Sequence, residues 1–277
     1  MLAPFELDWC GGASAARLRR RRPGIDELPW ESLHAETLDD ATLAAARTTW
    51  TEGAFSEYAS AAAFAALAGA LLEAGAPIDL TAMAGDFVVD EITHVELNAR
   101  LAATIGGAAP HLVDLDKLAP PRTDHPAIAR AAALAIKICV VGESLSVPVL
   151  ATAARVATQP LARAVLARIA HDEGPHARLG AHVLAWAGDR LDPFRDPLRD
   201  IARRALAAYA PLWRRRPPPP NPSTRALGIL DGADHARVLR RAVRARVVPA
   251  LAVAHLAPDP GWIDELLGDD VDAPRAA

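Results

Sequence analysis

Two stretches of this chain repeat one pattern, Asp-Glu-x-x-His: Asp90-Glu91-Ile92-Thr93-His94 and Asp172-Glu173-Gly174-Pro175-His176. Residues three apart in an α-helix share a face, so the Glu and His of each copy point the same way. A carboxylate and an imidazole on one face can ligate a divalent metal ion. Two such pairs, each met by a carboxylate from a neighbouring helix, make a two-metal site. The facing carboxylates are Glu57, 34 residues before Glu91, and Glu143, 30 residues before Glu173. If each interval is a helical hairpin turning near its middle, a rise of about 1.5 Å per residue returns each partner to within about 5 Å of its mate's level. Glu52 is a rival to Glu57, but it would lie about 7 Å lower.

Four carboxylates and two neutral imidazoles suit two divalent ions: two irons, two manganese ions or a mixed pair. Without cations, four buried carboxylates would be heavily penalised. The expected ligands are therefore Glu57, Glu91, His94, Glu143, Glu173 and His176. Asp90 and Asp172 each sit one step from a ligand and project beside the site. Their expected role is to accept the far N–H of a ligand histidine, crosswise: Asp90 to His176 and Asp172 to His94. Ordinary surface pairing is the alternative. Pro175 removes a backbone donor inside its helix and predicts a kink or bulge there, and Pro148 predicts the same five residues after Glu143.

The elements that must carry these residues follow from caps and stops. Thr37 begins a helix running to about Glu73, before Gly75-Ala76-Pro77. Asp79 caps a second, which runs to Gly106-Gly107. A third starts near His125-Pro126 and ends near Val156. A fourth runs from Gln159-Pro160 to Gly188-Asp189. The connections are short, long, short. Short ones make antiparallel neighbours. The 17-residue loop 108–124, with Pro110, Pro120 and Pro121, reaches about 55 Å when extended. The second helix, about 28 residues, is about 42 Å long, so the loop can return along the bundle. The expected fold is all-α: a ferritin-like four-helix bundle with a long crossover between helices 2 and 3, plus extra C-terminal helices.

Three segments follow. Residues 1–36 are read as an irregular arm whose basic run, Arg17 to Arg22, is solvated and mobile. Residues 37–190 form the bundle. Residues 191–277 form a helical extension: a fifth helix opened by Pro193 and Pro197 and ending at Trp213, a stiff Pro-rich linker over 214–224, and a segment over 233–256 interrupted at Pro249. Arg237, Arg240, Arg241, Arg244 and Arg246 in that segment suit a solvated surface or a subunit contact, and a homodimer is the partner they suggest.

Bulk composition agrees with a packed helical protein. Of 277 residues 51% are hydrophobic, much of it Ala, and only 5% aromatic. A net charge of −4 argues against a nucleic-acid partner. Cys10 and Cys139 make no disulfide framework. The N-terminus lacks a basic start and an apolar core, and the longest charge-free apolar run, between Glu57 and Glu73, is too short for a bilayer. A cytoplasmic protein without a membrane partner is expected.

Glu57 with Asp90-Glu91-x-x-His94, and Glu143 with Asp172-Glu173-x-x-His176, resemble the diiron-oxygenase branch of the ferritin-like superfamily, nearest to the p-aminobenzoate N-oxygenase type. The resemblance covers about residues 37–190. That type adds a third histidine four residues before the second Glu, where this chain has Ile169; His171 falls on roughly the opposite face. In the similar ribonucleotide reductase small subunit, a radical tyrosine is expected where Asn98 stands. The resemblance implies an O₂-dependent oxidoreductase acting on a small organic substrate and fed by an external electron donor. The expected pocket lining is Trp50, Gly53, Ala61, Phe64, Phe87, Asn98, Cys139, Ser146, Val147, Ile169 and Gly180, mostly apolar; the same residues suit plain core. The competing functions are metal handling, as a ferroxidase or peroxide scavenger, and a metal-stabilised helical interaction protein.

Overall fold

A computed structural model describes residues 1–118, 124–214 and 221–268. Pro120 and Pro121 of the long loop, and Arg215 to Pro220 of the expected linker, lie outside them. The protein is all-α. Among the described residues, sheet is limited to β1 (Ala3–Pro4) pairing antiparallel with β2 (Leu112–Val113).

The first 36 residues differ from the mobile arm expected. They contain helix α1 (Gly12–Arg21), and beyond it Ile25 and Leu33 are buried against Trp50, Leu97 and Ile169. Burying two aliphatic side chains stabilises this docking by about 1.5–3 kcal/mol each. Two of the five arginines in the basic run, Arg19 and Arg22, find acids instead of water, while Arg17, Arg20 and Arg21 are exposed. Arg19 forks onto Glu96 and also reaches Asp26, which Arg100 bonds from the other side. Arg100 lies 3.9 Å over the Trp30 ring.

Helix α2 (Asp40–Glu73) is capped by Asp39, not Thr37. The Asp39 carboxylate accepts from the Thr42 backbone N–H with Oδ1 and from the Thr42 hydroxyl with Oδ2. Thr37 donates to the His34 carbonyl in the preceding turn. Helix α3 (Ile78–Thr104) begins after Pro77, with Asp79 in its first turn and not at the cap. It stops at Gly106-Gly107, both with positive φ, where the Gly107 N–H closes onto the Ala102 carbonyl.

The third helix is one rod in three parts: α4 (Ala127–Ala135), a π-helical segment (Ile136–Glu143) and α5 (Ser144–Val156). Helix α6 (Pro160–Ala187) is capped by Gln159, whose side chain accepts from the Ala162 N–H. It runs without a break through Pro175. The widened turn falls instead on the facing rod and ends at Glu143.

Beyond Gly188 come α7 (Arg195–Arg214), α8 (Pro222–Ala226), α9 (Gly232–Ala242), a second π-helical segment (Val243–Val247), α10 (Val248–Val253) and α11 (Pro260–Leu267). Pro249 does not interrupt the chain; α10 continues directly from the widened π-helical turn, with Pro249 next to its start. Helix α11 was not expected, although Asp259-Pro260 is a cap followed by a first-turn proline. The arginines here partly stitch the extension to itself: Arg240 donates to the Trp213 and Leu267 carbonyls, and Arg244 pairs with Asp264.

Helix α2 packs along α3, and α5 along α6; α3 touches α6, and α2 touches α4. Two apolar clusters fill the space between them. One holds Trp50, Leu97, Leu101, Leu161 and Ile169; the other holds Phe64, Phe87, Ala135, Cys139 and Leu179. Along each helix the candidate ligands fall between these clusters. A third cluster lies on the outer face of the α4–α5 rod, under α7, α9 and α10. This explains why the rod is apolar all round. Helix α2 and the stretch Ala127–Val156 are long and apolar enough to cross a membrane by length and composition. Both, however, carry carboxylates of the cluster described next, and such groups are costly at the centre of a bilayer.

Candidate metal centre

Glu57 on α2, Glu91 and His94 on α3, Glu143 at the end of the first π segment, and Glu173 and His176 on α6 converge. They form two overlapping groups. Ligand atoms of Glu57, Glu91, His94 and Glu173 lie within 4.8 Å of one another, as do those of Glu91, Glu143, Glu173 and His176. Glu91 and Glu173 belong to both groups, and each turns one oxygen toward each histidine. Glu173 Oε1 is 3.1 Å from His94 Nδ1, and its Oε2 is 2.8 Å from His176 Nδ1. Glu91 Oε2 is 3.9 Å from His94 Nδ1, and its Oε1 is 2.9 Å from His176 Nδ1. Glu57 and Glu143 each serve one group. Glu52, the rival to Glu57, is exposed.

The residues present fit metal ions. Among the described residues, the buried side-chain atoms with no hydrogen-bond partner are Glu91 Oε1 and Oε2, His94 Nδ1 and Nε2, Glu173 Oε2 and His176 Nδ1. All belong to this cluster. An unsatisfied buried polar group costs about 1–3 kcal/mol, and more when charged, so such a concentration calls for a cation. The spacing agrees. Two adjacent ligands on an octahedral ion with bonds of about 2.1 Å have donor atoms about 3 Å apart, and three of the four carboxylate-to-imidazole distances above are of that size.

Titration behaviour of the bare cluster leads the same way. Burial, then the charge of Glu91, pushes the Glu57 carboxyl well above its usual range; burial, then the charge of Glu173, does so for Glu143. For His176, burial opposes protonation but is outweighed by Asp90, Glu173 and Glu91, which drive its pKa up to about 11. His94 is likewise raised, burial being outweighed by Asp172, Glu173 and Glu91. Burial would raise Glu173, but the two histidines hold it low. Protons thus take the positions that cations would take.

No family model, curated protein or solved structure matches this chain.

Behind the histidines stand the two aspartates. Asp90 Oδ2 is 3.3 Å from His176 Nε2, and Asp172 Oδ2 is 3.5 Å from His94 Nε2, the latter too long for a good hydrogen bond. Each aspartate also meets an arginine that sequence reasoning missed. Arg22 Nε donates to Asp90 Oδ1, and Arg168 Nε donates to Asp172 Oδ2 at 2.7 Å. A signal existed for one of them: Arg168 precedes Asp172 by four, one helical turn, whereas Arg22, just past the end of α1, carries none.

The residues expected to line a pocket are mostly packed interior. Trp50 and Ile169 belong to one apolar cluster; Phe64, Phe87 and Cys139 belong to the other. Ala61 is buried and Val147 half-buried. The Phe87 and Phe64 rings lie 4.0 and 5.1 Å from the His176 ring. Gly180 is a close-packing position: a Cβ there would meet Cys139 Cβ at 2.8 Å and Val140 Cγ2 at 2.7 Å. A Cβ on Gly53 would meet Asn98 Oδ1 at 2.8 Å, while Asn98 Nδ2 donates to the His94 carbonyl. Ser146 has a direct link to the cluster, its hydroxyl donating to Glu143 Oε2 at 2.9 Å. His171 is exposed and brings no third imidazole. The Cys139 thiol is pushed up by burial and by Glu143, so it stays neutral.

Proposed function

We propose that this cluster holds two divalent iron or manganese ions in a ferritin-like four-helix bundle made of α2, α3, the α4–α5 rod and α6, and that the protein is an O₂-dependent oxidoreductase acting on a small organic molecule. The observation that carries the reading is the sharing of Glu91 and Glu173 between two ligand groups, each closed by one histidine. Bridging carboxylates of this kind fix two ions side by side. Helix packing of α2 on α3, α5 on α6 and α3 on α6 supports the bundle.

When bound, such an ion pair supplies redox chemistry toward O₂. The protein's own residues do the rest. Glu91 and Glu173 would each be shared by the two ions. Asp90 holds the His176 ring so that Nδ1 faces inward, and Asp172 stands in the matching place behind His94, 3.5 Å from its Nε2. Ser146 orients Glu143. Phe64 and Phe87 exclude water beside His176. Glu57, with 15% of its side chain exposed against 0–2% for Glu91, His94, Glu173 and His176, marks the side nearest solvent. An external electron donor is required, since the chain has no flavin or iron–sulfur motif.

The close packing of Phe64, Phe87 and Cys139 favours a second reading, in which the centre oxidises iron or removes peroxide without an organic substrate. Metal analysis, then anaerobic Fe(II) loading and mixing with O₂ under optical detection, separates the readings. Substrate-dependent O₂ consumption supports the oxygenase. Repeated Fe(II) oxidation without organic product supports metal handling. A protein that binds no stoichiometric metal sinks both.

A further inference from the structure

The N-terminal segment reaches both of the aspartates that stand behind the histidines. Arg22 Nε donates to Asp90 Oδ1 while Asp90 Oδ2 faces His176 Nε2, so one carboxylate joins the arginine to the imidazole. Arg22 is held by a second handle: its Nη2 donates to the Asp86 carbonyl at 3.0 Å and pairs with the Asp86 carboxylate at 3.2 Å. Its side chain is only 12% exposed. On the other side, Arg168 Nη1 donates to the Pro23 carbonyl at 2.9 Å while its Nε holds Asp172, and a Cβ on Gly24 would stand 3.8 Å from the same Nη1. Consecutive residues of one turn therefore touch both Arg–Asp pairs, of which Asp90 bonds His176 while Asp172 stands 3.5 Å from His94 Nε2.

We propose that the turn Arg22–Gly24 completes the metal centre, with Arg22 as a positioning residue for His176 and Arg168 for His94, so that docking of the N-terminal segment and metal occupancy are linked. The inference rests on the two-metal reading above and adds a regulatory element to it. To ligate through Nδ1, an imidazole must keep its proton on Nε2, and a carboxylate accepting that proton fixes the tautomer and the ring plane. The carboxylate must itself be held, and the planar fork of an arginine does this with little freedom.

The two chains are built differently. Arg168 and Asp172 are four apart on α6, so that pair forms with the helix itself. Arg22 and Asp90 are 68 residues apart, so their pair exists only when the segment is docked. The ion in the group of His176 therefore depends on the segment, and by reciprocity that ion holds the segment in place.

The test is anaerobic titration of the full chain with Co(II) alone, following its optical bands in wild type, Arg22→Gln, Arg22→Lys and Arg168→Gln. Wild type should take up two ions. Arg22→Gln should weaken one of the two binding steps by about 10–100-fold, the usual cost of losing an outer-shell partner, and leave the other unchanged. Arg22→Lys should recover part of the loss, and Arg168→Gln should weaken the other step. Hydrogen exchange of wild type supplies a readout that needs no variant to fold: amides of residues 18–25 should exchange more slowly with Co(II) bound. Exchange there that ignores metal, or an Arg22→Gln protein that binds both ions as wild type does, overturns the linkage while the two-metal reading stands. A wild type that binds no stoichiometric Co(II) overturns both.

Discussion

Glu173 Oε2 lies 2.8 Å from His176 Nδ1, and neither atom has a hydrogen-bond partner. Two buried polar atoms this close, at ion-pair distance but outside hydrogen-bond geometry, suit two ligands of one proposed ion. Because Glu173 also reaches His94, its loss should affect both ions, whereas Glu57 belongs to one group alone. Glu173→Ala should lower bound metal from about two ions per chain to less than one, and Glu57→Ala to about one. Elemental analysis after gel filtration reads this directly, and equal losses in the two variants would refute the assignment of bridging and terminal carboxylates.

Metal and protons compete for this site, which gives the metal-free and metal-loaded forms different pH profiles. Unfolded, the histidines titrate near pH 6.5; folded and metal-free, His176 titrates near 11 and His94 is also raised. A raised folded pKa contributes stability that is complete below the unfolded pKa and lost as pH rises through the folded one. Glu57 and Glu143, also raised, act in the same direction from the carboxylate range upward. Chelated protein should therefore lose melting temperature steadily above about pH 6.5, and metal binding at pH 7 should release protons. Calorimetric titration in buffers of different ionisation enthalpy counts them; zero protons released would contradict the protonated histidines.

Gly180 tests how closely α6 and the π segment must approach. A Cβ there would stand 3.1 Å from the Val140 backbone nitrogen as well as against Cys139, so the neighbour cannot simply swing away. Overpacking of this kind costs about 1–3 kcal/mol. Gly180→Ala should lower the melting temperature by several degrees, on the scale of about 2–4 °C per kcal/mol for a domain of this size. Gly53→Ala should cost less, because its neighbour is the end of the Asn98 side chain. An unchanged melting temperature for Gly180→Ala would mean the helices stand further apart than this.

Local periodicity made much of this legible. The three-residue step of a helix put Glu91 with His94 and Glu173 with His176, and caps, glycines and prolines placed the ends of α2, α3 and α6 within a few residues. Matching levels between Glu57 and Glu91 needed only helix rise. What stayed hidden depends on partners far apart in sequence. The basic run Arg17 to Arg22 carries no mark of Asp90, Glu96 or Asp26, so it looks like a solvated arm until the fold brings those acids to it. The π turn ending at Glu143 was only loosely marked. Gly142 lies inside it, and Pro148, read as a kink or bulge, follows Glu143 by five residues, whereas the helix of Pro175 runs on unbroken.

Cys139 decides whether there is room beside the cluster. It is fully buried, packed against Gly180 and the Phe64–Phe87 cluster, with its thiol pushed up by burial, whereas Cys10 is exposed. A neutral thiol without access is inert to disulfide reagents. Native protein should therefore react at one thiol per chain, Cys10, and at a second only on unfolding, with the slow rate of global opening. A Cys10→Ser variant should be unreactive until denatured. If a small reagent instead modifies Cys139 in the folded Cys10→Ser protein, a passage reaches the interior one turn from Glu143, and the same passage would admit an organic substrate. Protection of Cys139 would favour metal handling, because O₂ and small ions need far less space than an organic molecule. The rate of labelling at this one residue thus weighs the two functional readings against each other before any substrate is known.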